Sequence, residues 1–152
     1  MTRKERYQKV LSYFAEAMPD AQTELHYDSV FHLLIAVMLS AQCTDKRVNL
    51  VTPALFKAYP SVSSLAVATP QEVFSFISSV SYPNSKSEHL VQMAQHLLNH
   101  FNGEIPKTVD ELQLLPGVGR KTANVLVSVA FGQPAMPVDT HVFRVSNRIG
   151  LT

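Results

Sequence analysis

A chain of 152 residues, 46% of them apolar, has enough hydrophobic material to fill the core of one ordinary domain. Its 13 basic and 12 acidic side chains leave a net charge of +1, so no large excess of either sign announces a polyionic partner. The single cysteine, Cys43, excludes an intramolecular disulfide and cannot hold a metal alone, which predicts a reducing compartment with the cytoplasm as the default.

The opening MTRKERYQKVL has the basic start of a signal peptide, but Glu5, Gln8 and Lys9 interrupt any apolar segment, so export is not expected. Apolar residues at Tyr7, Val10, Leu11, Phe14 and Met18 follow helical spacing, and Pro19 stops the helix just beyond them. Asp28 or Ser29 caps a second helix that is apolar nearly all round and so belongs at the centre of the domain. Its most apolar run, 30–39, is about half the length that crosses a bilayer and contains His32, which predicts a buried core helix and no membrane partner. Thr44 or Asp45 opens a third helix with Val48, Val51 and Leu55 on one face, and Pro53 is expected to kink or divide it.

Three pairs of Ser or Thr with Glu three residues on read as capping boxes: Thr69 with Glu72, Ser85 with Glu88, and Thr108 with Glu111. The stretch PSVSSLAVATP between the third helix and the first of these boxes reads as a loop and a short turn. Asn102-Gly103 ends the helix that carries Leu90, Met93, Leu97 and Phe101, because glycine enters the left-handed region freely. His89, His96 and His100 share a face of that helix. The i, i+4 pair has metal-ligand spacing, but no carboxylate joins it, so a solvated face is expected and no metal. No segment alternates like a strand over a useful length. The fold class is therefore all-α, a helical bundle or barrel spanning residues 1–152.

The most informative stretch is LLPGVGRKTANVLVSVA, at 114–130. A short helix, a tight turn through Gly117, Val118 and Gly119, and a second helix from Arg120 make a hairpin over 108–131. Glycines at such a turn expose backbone amides, and amides at a helix amino end attract an anion such as a phosphodiester. On the second helix Val118, Thr122, Val125 and Val129 are expected to share the apolar face, with Leu126 and Ala130 beside them, while Lys121, Asn124 and Ser128 fall on another. A lysine in a first turn stands at the unfavourable end of the helix dipole and gains no stability there. Function is the simpler reason for it. An amine facing a bound DNA backbone has the chemistry to attack a sugar's anomeric carbon, expel a base and form a Schiff base. Downstream, Asp139 precedes a segment with helical spacing and reads as an N-cap, a rigidly held carboxylate suited to stabilising positive charge. From Arg120 onward the basic residues Arg120, Lys121, Arg144 and Arg148 face the single acid Asp139.

LSAQCTD at 39–45, LPGVGRKTANV and VDTHVFRV together resemble the endonuclease III family of helix-hairpin-helix DNA glycosylases, over essentially the whole chain as far as Arg148. The resemblance implies a base-excision repair enzyme that removes oxidised pyrimidines from duplex DNA and then cleaves the strand as a lyase. By it Lys121 matches the nucleophile and Asp139 the catalytic aspartate. Gln42 matches the residue inserted where the flipped base was, and Tyr82 is the choice for the wedge residue, although Ser81 and Pro83 depart from the family's glycine and tyrosine. Gly117, Val118, Gly119, Arg120 and Arg144 are the expected DNA contacts. The resemblance also implies a monomer working in the cytoplasm at the bacterial nucleoid. Full-length members continue to four cysteines that hold a 4Fe–4S cluster; those cysteines are absent, so the chain is expected to be a truncated copy without the cluster. Two rivals stay open: a truncated domain that only binds DNA without specificity, and a related glycosylase with another lesion preference.

Overall fold

A computed structural model describes residues 1–152, and all its regular structure is helical. Nine helices follow in order: α1 (Arg3–Ala17), α2 (Val30–Ser40), α3 (Asp45–Ala58), α4 (Val62–Ala66), α5 (Pro70–Ile77), α6 (Pro83–Phe101), α7 (Val109–Leu112), α8 (Arg120–Phe131) and α9 (Thr140–Arg148). The all-α class read from the sequence is thus the observed one. No helix is long and apolar enough to cross a membrane. The chain divides into two compact units, Glu24–Pro137 and the pair Met1–Thr23 with Val138–Thr152.

The larger unit is built around α2. Ser29 caps it by accepting from the His32 amide at 3.1 Å, and every residue from Phe31 to Leu39 is buried. Such a helix has no solvent face, and α3, α6 and α8 all pack against it. Even its histidine is matched to the interior. The His32 ring stacks on Phe56 with centroids 3.9 Å apart, its Nδ1 meets the Asp28 carboxylate, and its Nε2 reaches the Tyr59 carbonyl at 3.0 Å. Helices α4 and α5 pack on α6, α5 also meets α3, and α7 meets α8.

Two expectations change and one narrows. The segment read as a loop and short turn contains α4, because Ser61 and Ser64 form a reciprocal capping box and Leu65 and Ala66 are buried. Pro53 neither divides nor ends α3, which runs on to Ala58. It stands on the exposed side, where water can serve the carbonyl its ring leaves without a donor. Helix α6 begins at Pro83, not at Ser85: the fixed φ of proline suits a first helical turn, and the Ser85 hydroxyl donates back to the Tyr82 carbonyl at 3.3 Å instead of capping.

The smaller unit holds α1 and α9. Thr2 and Glu5 cap α1 reciprocally, and the Arg6 guanidinium donates to the Gly150 carbonyl at 2.7 Å. Neither helix buries a residue, and Leu11, Phe14 and Phe143 stand exposed.

Candidate nucleic-acid interface

The hairpin is held from below and open above. Leu115 and Val118 are buried, and the Val118 amide donates to the Leu115 carbonyl at 3.1 Å, which closes the turn. Of the expected hairpin contacts, Val118 therefore has its side chain in the core and its amide already engaged. The two glycines answer to different demands. Gly117 has φ +77°, and a Cβ there would lie 2.7 Å from the His89 Cβ and 3.0 Å from the Met38 methyl, so the turn backbone rests directly on α6 and α2. Gly119 has nothing within 4 Å of that position. It is the N-cap of α8 and supplies no side-chain cap, so the first amides of the helix lack the acceptor that a serine or aspartate would provide.

Arg120 and Lys121 follow at once and are exposed. The buried residues of α8 are Ala123, Leu126 and Val127. This rotates the core face from the one expected, since Val125 is only half-buried and Val129 is exposed. With Ala123, Leu126 and Val127 inward, Lys121 lies on the side of α8 opposite the core. Asn124, one turn on, reaches the Met136 carbonyl at 3.5 Å and so touches the segment that leads towards Asp139.

Gln42 and Tyr82 lie in two loops of the same unit, and both are exposed. Both also adopt the left-handed conformation, at φ +53° and +50°, which side-chain-bearing residues seldom enter. The loops are tied together. Ser81 donates from its hydroxyl to the Ala41 carbonyl at 3.2 Å, and the Lys86 ammonium donates to the Leu39 carbonyl at 2.8 Å, the Ala41 carbonyl at 2.7 Å and the Ser81 hydroxyl at 3.0 Å. Lys86 is buried, and that burial pushes its pKa below the usual lysine value while Cys43 pulls the other way. Sequence reasoning missed this lysine. The signal was present: Lys86 precedes Leu90 by one turn and Met93 by two, on the face of α6 that enters the core.

In the smaller unit Asp139 is half-buried and caps α9, accepting from the Val142 amide at 2.8 Å. The expected cap is the observed one. Arg144 is exposed, with a guanidinium nitrogen 3.5 Å from His141 Nδ1.

The 4Fe–4S cluster implied by the resemblance takes four cysteine thiolates. This chain has one cysteine, and no three His, Cys, Asp or Glu side chains are grouped so as to hold a metal ion. The residues present do not fit such a cluster. His96 and His100 instead lie ring against ring, with centroids 4.3 Å apart.

Known proteins resemble this chain in sequence and in fold. Residues 35–152 match the family model of the HhH-GPD superfamily base excision DNA repair protein. Over 152 residues the chain is 43% identical to Endonuclease III of Synechocystis sp., covering 99% of itself and 69% of that protein. It is likewise 43% identical over 143 residues to Endonuclease III of Rickettsia felis, covering 94% of itself and 67% of that relative. Among solved structures it resembles a trapped endonuclease III–DNA covalent intermediate, an estranged-adenine complex, with TM-score 0.93 and 46% identity over 99% of this chain and 70% of that one.

Proposed function

This chain belongs to the HhH-GPD superfamily of base excision DNA repair proteins, and from that premise we propose that it is a DNA glycosylase and abasic-site lyase acting on oxidised pyrimidines in damaged duplex DNA. In this reading it works as a monomer in the cytoplasm. The observation that carries the reading is local: an exposed lysine on the outward side of α8, immediately after an uncapped helix amino end with open space at Gly119. Amides and dipole suit a phosphate there, and the amine stands beside it.

The chemistry divides among named groups. The Lys121 nitrogen lone pair attacks the anomeric carbon of the lesion sugar, and the glycosidic bond breaks with its electron pair leaving on the base, which is protonated as it departs. Asp139, rigid because it caps α9, stabilises the positive charge that grows on the sugar in that step. Loss of a proton from nitrogen and opening of the sugar ring yield the imine. Removal of a proton from the adjacent carbon then expels the 3′ phosphate, and water releases the lysine. Gln42 and Tyr82 serve the earlier physical step, entering the space vacated when the base is extruded.

Borohydride reduces such an imine to a permanent amine and so tests the assignment. On a thymine-glycol duplex the wild type should yield a covalent protein–DNA adduct whose attached peptide contains Lys121. Lys121→Gln should bind duplex yet yield none. Asp139→Asn keeps a capping oxygen but loses the charge, so base release should slow by about 100-fold or more, with less loss on a duplex that already holds an abasic site. Adduct formation by Lys121→Gln at the wild-type rate would assign the nucleophile elsewhere. Duplex binding with neither excision nor trapping would leave a DNA-binding module in place of an enzyme.

A further inference from the structure

Lys86 is a buried cation whose three acceptors are all uncharged: two backbone carbonyls and a hydroxyl. The carbonyls belong to Leu39, in the last turn of α2, and to Ala41, its C-cap. A helix carboxyl end carries partial negative charge, so an ammonium there is electrostatically matched although no carboxylate neutralises it. What distinguishes this lysine is what its bonds flank. Ala41 is the residue before Gln42, and Ser81 is the residue before Tyr82. One ammonium thus grips the base of both exposed loops, and the Ser81 hydroxyl closes the arrangement by donating to the Ala41 carbonyl.

Both loop residues also sit in a left-handed conformation that costs roughly 1–2 kcal/mol for a residue with a side chain. Such conformations persist where the surroundings over-determine them, and here the surroundings are the three bonds of Lys86. The ammonium spends its donors on presenting two side chains to the outside at a fixed spacing.

We propose that Lys86 is a positioning residue for base extrusion, holding the Gln42 and Tyr82 loops side by side in the conformation in which both side chains enter the duplex. The inference rests on the functional reading above for the roles of those two residues. Lys86 itself, being buried, touches no DNA. Ser81, whose hydroxyl oxygen accepts from the ammonium, is the one side chain among its three acceptors and so the one that substitution can remove.

Two measurements test it. Lys86→Met keeps the apolar stem and removes all three donors, depriving the buried Leu39 carbonyl of its ammonium. It should reduce excision of a damaged base by about 100-fold, the scale of a misplaced contact, while incision at a preformed abasic site, where no base must be extruded, falls far less. Ser81→Ala, a milder change at a half-exposed residue, should move the same ratio in the same direction. A merely structural role would lower both activities together, and that result, or no change in either, overturns the proposal. The second measurement needs no catalysis. The wild-type chain has no tryptophan, so Tyr82→Trp installs a single tryptophan, excited selectively over the remaining tyrosines, in the second loop. Adding Lys86→Met to that variant should increase acrylamide quenching and lower anisotropy in the absence of DNA; unchanged signals overturn the proposal. A wild type that processes neither substrate would defeat the glycosylase reading, while the tryptophan signals still decide whether Lys86 holds the loops.

Discussion

Gly117 and Gly119 stand two residues apart in one turn, yet substitution should separate them cleanly. Gly117→Ala demands a positive φ from alanine and brings a methyl to 2.7 Å from the His89 Cβ and 3.0 Å from the Met38 methyl. A loss of about 1–3 kcal/mol in urea unfolding is expected from the overpacking alone. Gly119→Ala meets open space at φ −90° and should change stability by less than about 1 kcal/mol. Because it still places a methyl over the amino end of α8, it should weaken duplex binding while the fold stays intact. Replacing both glycines together would confuse a folding defect with a binding defect. Lys86 offers a second residue-scale test through pH. Burial holds its pKa below the ordinary 10.5. Between the lowered value and 10.5 the unfolded chain therefore binds more protons than the folded one, and stability from this group rises with pH. Lys86→Met cannot show that rise. The stability of wild type minus that of the variant should climb from neutral pH towards about pH 10, and a flat or falling difference would contradict the burial of a charged amine.

At the scale of elements, helix boundaries follow local chemistry where a cap is present and tertiary contacts where one is not. Thr69 and Glu72 cap α5 reciprocally, with Pro70 in the first position, and the helix begins where its residues say it should. Ser85 and Glu88 carry the same spacing but lie inside α6, past its real start. The difference is Pro83, which can begin a helix without losing a hydrogen bond, and Lys86, whose amide already donates to the Tyr82 carbonyl at 3.1 Å. Thermal or urea unfolding should record this. Thr69→Ala is expected to cost about 1 kcal/mol through removal of the cap, whereas Ser85→Ala should lie within about 0.5 kcal/mol of the wild type. Equal effects would mean that the serine hydroxyl matters to α6 after all.

For the molecule as a whole, a net charge of +1 leaves no general attraction for DNA, so any affinity must come from where the charges sit. Arg120 and Lys121 are exposed at the amino end of α8, and Arg144 is exposed on α9. A side chain that neutralises one phosphate adds roughly one to the slope of log affinity against log salt, so deleting it should take that increment away. Arg120→Ala is therefore expected to weaken duplex binding uniformly across sequences and to flatten that slope by about one, measured by titration at several salt concentrations. An unchanged slope would remove Arg120 from the set of phosphate-binding residues. The family match, spanning 35–152, includes residues of both compact units.

Much of this was legible in the residues themselves. The all-α class, the central position of α2, the caps at Thr69, Thr108 and Asp139, and the hairpin that brings Lys121 into a first helical turn all follow from rules acting over three or four residues, where spacing alone dictates the geometry. The other features depended on partners far away in the chain. That Gly117 must lack a side chain because of His89, that the core face of α8 is centred on Ala123, Leu126 and Val127, and that Lys86 binds carbonyls 45 and 47 residues distant could be decided only by packing. A periodic pattern shows that a helix has an inner face, but the acceptor that meets a buried donor there is chosen by whichever other element the fold brings against it.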